Sequence, residues 1–115
     1  MYQRLYDEVV NDSYSVARQR EKELLEKGVK LLSMARIRGA KTVESFEATH
    51  FMRSLWSTLV LDLGNDENRL PVALRASLIS IGIWILRELD KIDSGESANF
   101  DGLIEINRTI ADGLQ

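Results

Sequence analysis

The sequence predicts an all-α protein, a compact bundle of about four helices with an N-terminal arm. Three observations predict it. Apolar residues recur at spacings of three, four and seven over long stretches. Glycine, the one proline and small polar clusters interrupt those stretches at only a few places. No strand-like alternation flanked by hairpin glycines occurs anywhere. With 115 residues, 44% apolar and 29% charged, the chain reads as one globular domain.

Each element has a local reason. Residues 1–14 carry spaced tyrosines, Tyr2, Tyr6 and Tyr14, ahead of or beside the polar Asn11, Asp12 and Ser13. The polar triplet suits a turn or a cap, so this part reads as an arm. The first helix is expected over residues 15–38, capped by Ser13 or Ser15. Leu24, Leu31 and Ala35 form its stripe, with Leu25, Gly28 and Leu32 beside them. Gly39 is its expected C-terminal cap. The second helix is expected over residues 43–63, with Thr42 as N-cap and a wide apolar arc through Phe51, Met52, Leu55, Trp56, Leu59 and Leu63. A polar loop around Gly64 and residues 65–68 follows.

The third helix is expected over residues 71–94, with Pro71 at its first position and Gly95 beyond its end. It is apolar nearly all round, the pattern of a helix central in its bundle. Gly82 in its middle marks an expected close approach by another helix. The fourth helix is expected over residues 100–113 behind Asn99.

Composition excludes much chemistry. There is no cysteine, hence no disulfide, thiolate metal site or thiol nucleophile. The most apolar stretch, residues 78–86, contains Ser80 and Gly82 and is far short of the about 20 residues a membrane span needs. His50 is the lone histidine and has no nucleophile elbow or HExxH around it. Residues 65–68 lack the alternating ligands and glycine of a calcium loop. Asp90, Asp93 and Glu96 are read as an exposed acidic face. No phosphate-binding glycine loop is present. No catalytic, metal or cofactor residue is therefore expected, and the chain reads as a non-enzyme. The net charge of −3 argues against nucleic acid, yet Lys27, Lys30, Arg36, Arg38 and Lys41 form an acid-free basic stretch. It is either the dipole-favoured end of a helix or a contact for RNA phosphates.

What remains is apolar surplus in the second and third helices, the composition of a surface that binds a partner helix. Tyr2, Tyr6 and Phe51 are the candidates to reach a partner, Trp56 and Trp84 to line a groove, and Arg53 and Arg87 to bond a partner carboxylate. Trp56→Ala is expected to abolish partner binding while the fold survives.

Several runs carry a family resemblance. The chain opens on Tyr2-Gln3 with Tyr6, Val9 and Asp12-Ser13, then Ala17-Arg18 and Arg20-Glu21. His50-Phe51-Met52-Arg53-Ser54-Leu55-Trp56 and Leu61-Asp62-Leu63 follow, then Asn68-Arg69-Leu70-Pro71. Residues 74–88 come next, and residues 80–88 and Asn99-Phe100-Asp101-Gly102-Leu103-Ile104-Glu105-Ile106-Asn107 are the most specific. Over nearly its whole length the sequence resembles the FlaF flagellar proteins of alphaproteobacteria. The resemblance implies a cytoplasmic role in flagellum assembly, with flagellin as a protein partner and FlbT as a second one. It implies a flagellin export chaperone that promotes flagellin production. The alternative is a post-transcriptional regulator of flagellin messenger RNA, acting directly or through FlbT.

Overall fold

A long first helix frames the molecule. The computed structural model describes the backbone of residues 2–114, and the side chains of Leu5 and residues 15–114. Among the described residues there are four helices and no strand: α1 (Tyr2–Arg38), α2 (Val43–Leu63), α3 (Val72–Ser94) and α4 (Phe100–Gly113). At 1.5 Å per residue the 37 residues of α1 span about 55 Å, close to the 57 Å long axis of the whole chain.

The arm is therefore helical and continuous with α1; no turn forms at residues 11–13, and Ser13 and Ser15 lie inside the helix. The physical reason is that Asn, Asp and Ser cost only about 0.5–0.7 kcal/mol each relative to Ala within a helix. No glycine or proline occurs before Gly28 to stop it.

The other ends are closed by specific residues. Gly39, at φ 96°, donates its amide to the Ala35 carbonyl and ends α1. Three residues on, Thr42 accepts from the Ser45 amide and starts α2, while its hydroxyl donates to the Gly39 carbonyl. Residues 64–71 are tied down locally: Asn65 and Asn68 accept backbone amides, and Arg75 reaches back to the carbonyls of Leu63 and Asn65. Pro71 stands one residue before α3 rather than inside it. Gly95, at φ 83°, turns α3 off through amide bonds to its last turn, a conformation that costs glycine little. Asn99 caps α4 by accepting from the Gly102 amide.

Close packing joins α1 to α2, α2 to α3 and α1 to α4. The order around the bundle is α4, α1, α2, α3, and the seam between α3 and α4 is left without such contact. The core draws on every helix: Leu25, Val29, Leu32 and Ala35; Ala48, Met52, Leu55 and Trp56; Ile85, Leu89 and Ile92; Phe100, Leu103, Ile104 and Ala111. Burying each large member contributes roughly 1.5–3 kcal/mol. Gly82 lets α3 lie directly on α2, because a Cβ there would stand 2.6 Å from Val60 Cγ2 and 2.9 Å from Trp56 Cε3. Position in the bundle corrects one expectation. α3 is not central: it closely contacts α2 alone, and its surplus apolar residues Val72, Leu74, Ile83 and Trp84 are exposed.

Candidate functional site

The open seam is a groove. Its α3 wall is Ser80, Ile81 and Trp84; its α4 wall is Gly102, Glu105, Ile106 and Thr109; its volume is about 500 Å³. Both sets step by three and four residues, so each wall is one face of a helix. Trp84 is 42% exposed, a large apolar ring held at the groove's edge. Toward the other end of the bundle a second hollow, again of about 500 Å³, continues the line with Leu70, Leu74 and Leu78 of the α3 side, Ile110, Gly113 and Leu114 of the α4 side, and Ser15 and Arg18 of α1. Together, Leu74, Leu78, Ile81 and Trp84 face Ile106, Ile110 and Leu114 over about 15 Å, the length of three helical turns. Glu105 is the one charged group on the walls of the first hollow. Such a surface can bury the apolar stripe of a helix laid along it.

The groove floor is fixed from beneath. Trp56 is 1% exposed, and its indole Nε1 donates to Asn107 Oδ1 at 2.7 Å, while Asn107 Nδ2 donates to the Leu103 carbonyl. This buried pair ties α2 to α4 and sets the position of α4 relative to the α2–α3 hairpin.

A family model described as flagellar protein FlaF matches residues 2–114. The chain belongs to the FlaF family. Comparison with curated proteins and with solved structures returns no match.

Within this FlaF chain the candidate residues fall in different places. Trp84 lines the groove. Trp56 is core, so Trp56→Ala would disturb the fold itself, and binding and folding cannot be separated at that position. Phe51 is half-buried against α1, with Lys27 Nζ 5.1 Å above its ring centre. Arg53 faces the chain's own acids: it donates to Asp93 at 2.6 Å and to Asp90 at 3.1 Å, and these bonds, Asp93 foremost, push its pKa up. Asp93 also accepts from the Thr49 hydroxyl at 2.7 Å, so the carboxylates of α3 are structural acceptors. Arg87 is exposed on α3. The side chains of Tyr2 and Tyr6 lie outside the described residues.

The basic stretch is largely spent on the bundle. Besides Lys27 on Phe51, Arg36 pairs with Asp101 of α4 at 2.7 Å and Arg38 with Glu44 of α2 at 3.7 Å. The Lys41 side chain lies over Gly95, and Lys30 is exposed beside Lys22, Glu26 and Arg108. His50 is exposed. Among the described residues no cluster of three or more His, Asp or Glu side chains could hold a metal ion. No helix among them is long and apolar enough to cross a membrane.

The groove's α4 wall and the Trp56–Asn107 bond are what sequence reasoning missed. Ile106, Ile110 and Leu114 have helical spacing, but nothing in the sequence says that they meet α3 across a gap. The excess of apolar residues round α3 was the available signal.

Proposed function

We propose that this FlaF-family chain binds flagellin by receiving one of its amphipathic helices in the α3–α4 groove, and acts as a non-enzymatic export chaperone. The family sets the flagellar context. The observation that carries the reading is the open seam, where apolar walls of two helices face each other with no third helix between them. Unassembled flagellin has amphipathic helical ends prone to early polymerisation. Covering such a stripe in the cytoplasm, then releasing it at export, needs shape and apolar area and no chemistry. Support for flagellin production follows if bound flagellin is protected and exported.

Direct contact with messenger RNA is the less favoured reading. Three of the five basic residues that would serve it, Lys27, Arg36 and Arg38, are engaged within the bundle. FlbT remains the route for any effect on translation that does not pass through flagellin.

The test is co-expression with the host flagellin, followed by calorimetry of the purified pair at low and high salt. The expected result is a one-to-one complex whose affinity changes little with salt. Trp84→Ala should weaken it about tenfold or more, as expected for an aromatic anchor worth at least ~1.4 kcal/mol, with the melting temperature held. Loss of binding on adding salt, or full binding by Trp84→Ala together with Ile106→Ala, would remove the groove from the mechanism.

A further inference from the structure

One charge on the α3–α4 groove has no partner within the chain. Arg18, the charged side chain of the second hollow, is held by Glu21 of its own helix at 3.2 Å. Glu105, on the first hollow, is exposed, and no hydrogen bond or ion pair from any described residue reaches its carboxylate. The donors along the walls are committed elsewhere. The Ser80 hydroxyl donates to the Ala76 carbonyl at 3.1 Å, and the Thr109 hydroxyl to the Glu105 carbonyl at 2.9 Å. Gly102, one turn before Glu105, has no side chain to offer. Arg108, the nearest cation along α4, lies on another face, where it lines a hollow against α1 with Lys22, Glu26 and Asp112. Solvent alone is left to satisfy the Glu105 carboxylate.

A helix laid in the groove takes that solvent away. A carboxylate that loses water without gaining a donor costs far more than a neutral group in the same place. The guest must therefore bring a donor to this point. The opposite wall decides its kind. Across the first hollow from Glu105 stands Trp84, its ring partly exposed. The face of an indole attracts a cation, and a carboxylate pairs with one. Together they suit lysine or arginine and repel an acidic side chain.

We propose that the Trp84–Glu105 end of the groove is a cation seat. The guest helix enters with a lysine or arginine at the edge of its apolar stripe, the stem on the Trp84 ring and the charge on the Glu105 carboxylate. The inference rests on the groove reading given above and adds the charge that the partner helix must carry. A long basic side chain suits a position at the rim, because its stem adds to the apolar contact while its head reaches outward. One pair enclosed by apolar walls is screened little by salt, in agreement with the salt tolerance expected of the complex.

The test is calorimetry of the full chain with the host flagellin, for the wild type, Glu105→Gln and Glu105→Lys. The sign of the glutamine effect decides. With a guest cation on the seat, Glu105→Gln loses the pair and weakens binding about threefold or more; without one, the same change relieves a stranded charge and tightens binding. Glu105→Lys should weaken binding about tenfold or more, with helical circular dichroism and melting temperature kept, as an exposed position allows. The lysines and arginines of the bound flagellin helix are then replaced by glutamate one at a time. One such variant should lose affinity for the wild type and regain it with Glu105→Lys. Unchanged or tighter binding by Glu105→Gln, or no flagellin variant rescued by Glu105→Lys, would overturn the cation seat. If affinity still falls for Trp84→Ala together with Ile106→Ala, the groove stands and the seat alone fails; full affinity there removes the groove itself.

Discussion

Replacing Asn107 by leucine isolates the bond that sets the groove floor. The two side chains share one branched four-atom shape, leucine being the bulkier, so the change leaves no cavity and removes the Oδ1 acceptor together with the Nδ2 donor to the Leu103 carbonyl. Trp56 Nε1, 1% exposed as a residue and bonded at 2.7 Å, then loses its acceptor in a place water does not reach. A buried donor left unpaired costs about 1–3 kcal/mol. Helix propensity opposes this weakly, since leucine is better than asparagine in a helix by about 0.4–0.5 kcal/mol. The donor's loss wins, and a net cost near ~2 kcal/mol lowers the Tm by roughly 6–12 °C for a chain of this size. Trp56→Phe strands the other partner, Asn107 Oδ1, and also gives up ring volume. The double change Trp56→Phe with Asn107→Leu leaves neither group stranded and should cost about 1–2 kcal/mol less than the two single changes together. The assay is thermal and denaturant unfolding of the four proteins of the cycle. Additivity within about 0.5 kcal/mol, or a higher Tm for Asn107→Leu, would refute the reasoning.

Three further outcomes are expected. Gly82→Ala should lower the Tm despite alanine's advantage of about 1 kcal/mol in a helix, because the new methyl meets Val60 and a Trp56 ring held by its hydrogen bond; overpacking of this kind costs about 1–3 kcal/mol, and a raised Tm would show that α2 can give way. Ser45→Ala should raise the Tm by a few degrees, since the Ser45 hydroxyl is buried without a hydrogen-bond partner among the described residues, and unfolding curves decide it. Burial pushes the Glu21 pKa above its ordinary 4.5, outweighing Arg18 beside it, with Asp62 adding to the rise. The folded state therefore favours the protonated form. That contribution is complete below the ordinary carboxylate pKa and is lost as pH rises through the folded one. Glu21→Gln should accordingly raise the Tm at neutral pH, with the difference shrinking as pH falls through the carboxylate range; a constant difference would point away from ionisation.

Much of the fold was legible because it is written locally. Thr42 and Asn99 before apolar runs, and Gly39 and Gly95 after them, act on backbone groups within a few residues of themselves. Residues 11–13 misled because polar residues that favour turns are also tolerated in helices, and only tertiary or intermolecular contact chooses between the two. Trp56 and Trp84 show the limit most sharply. Both are tryptophans on strongly apolar helices, yet one is core and the other stands at the edge of a groove. Arg53 looked available for a partner because Asp90 and Asp93 are some forty residues away in the chain and meet it only in the α2–α3 pair.

The sequence by itself determined the helices, most of their ends, the absence of thiol and phosphate-loop motifs, and the family, since these depend on residue identity and short-range spacing. The tertiary structure decided which apolar surfaces are used up and which remain. Periodicity places a residue on a face of a helix, but it does not say whether another helix covers that face. Here α1 is covered on one side by α2 and α4, and α3 closely by α2 alone. That arrangement opens the α3–α4 groove.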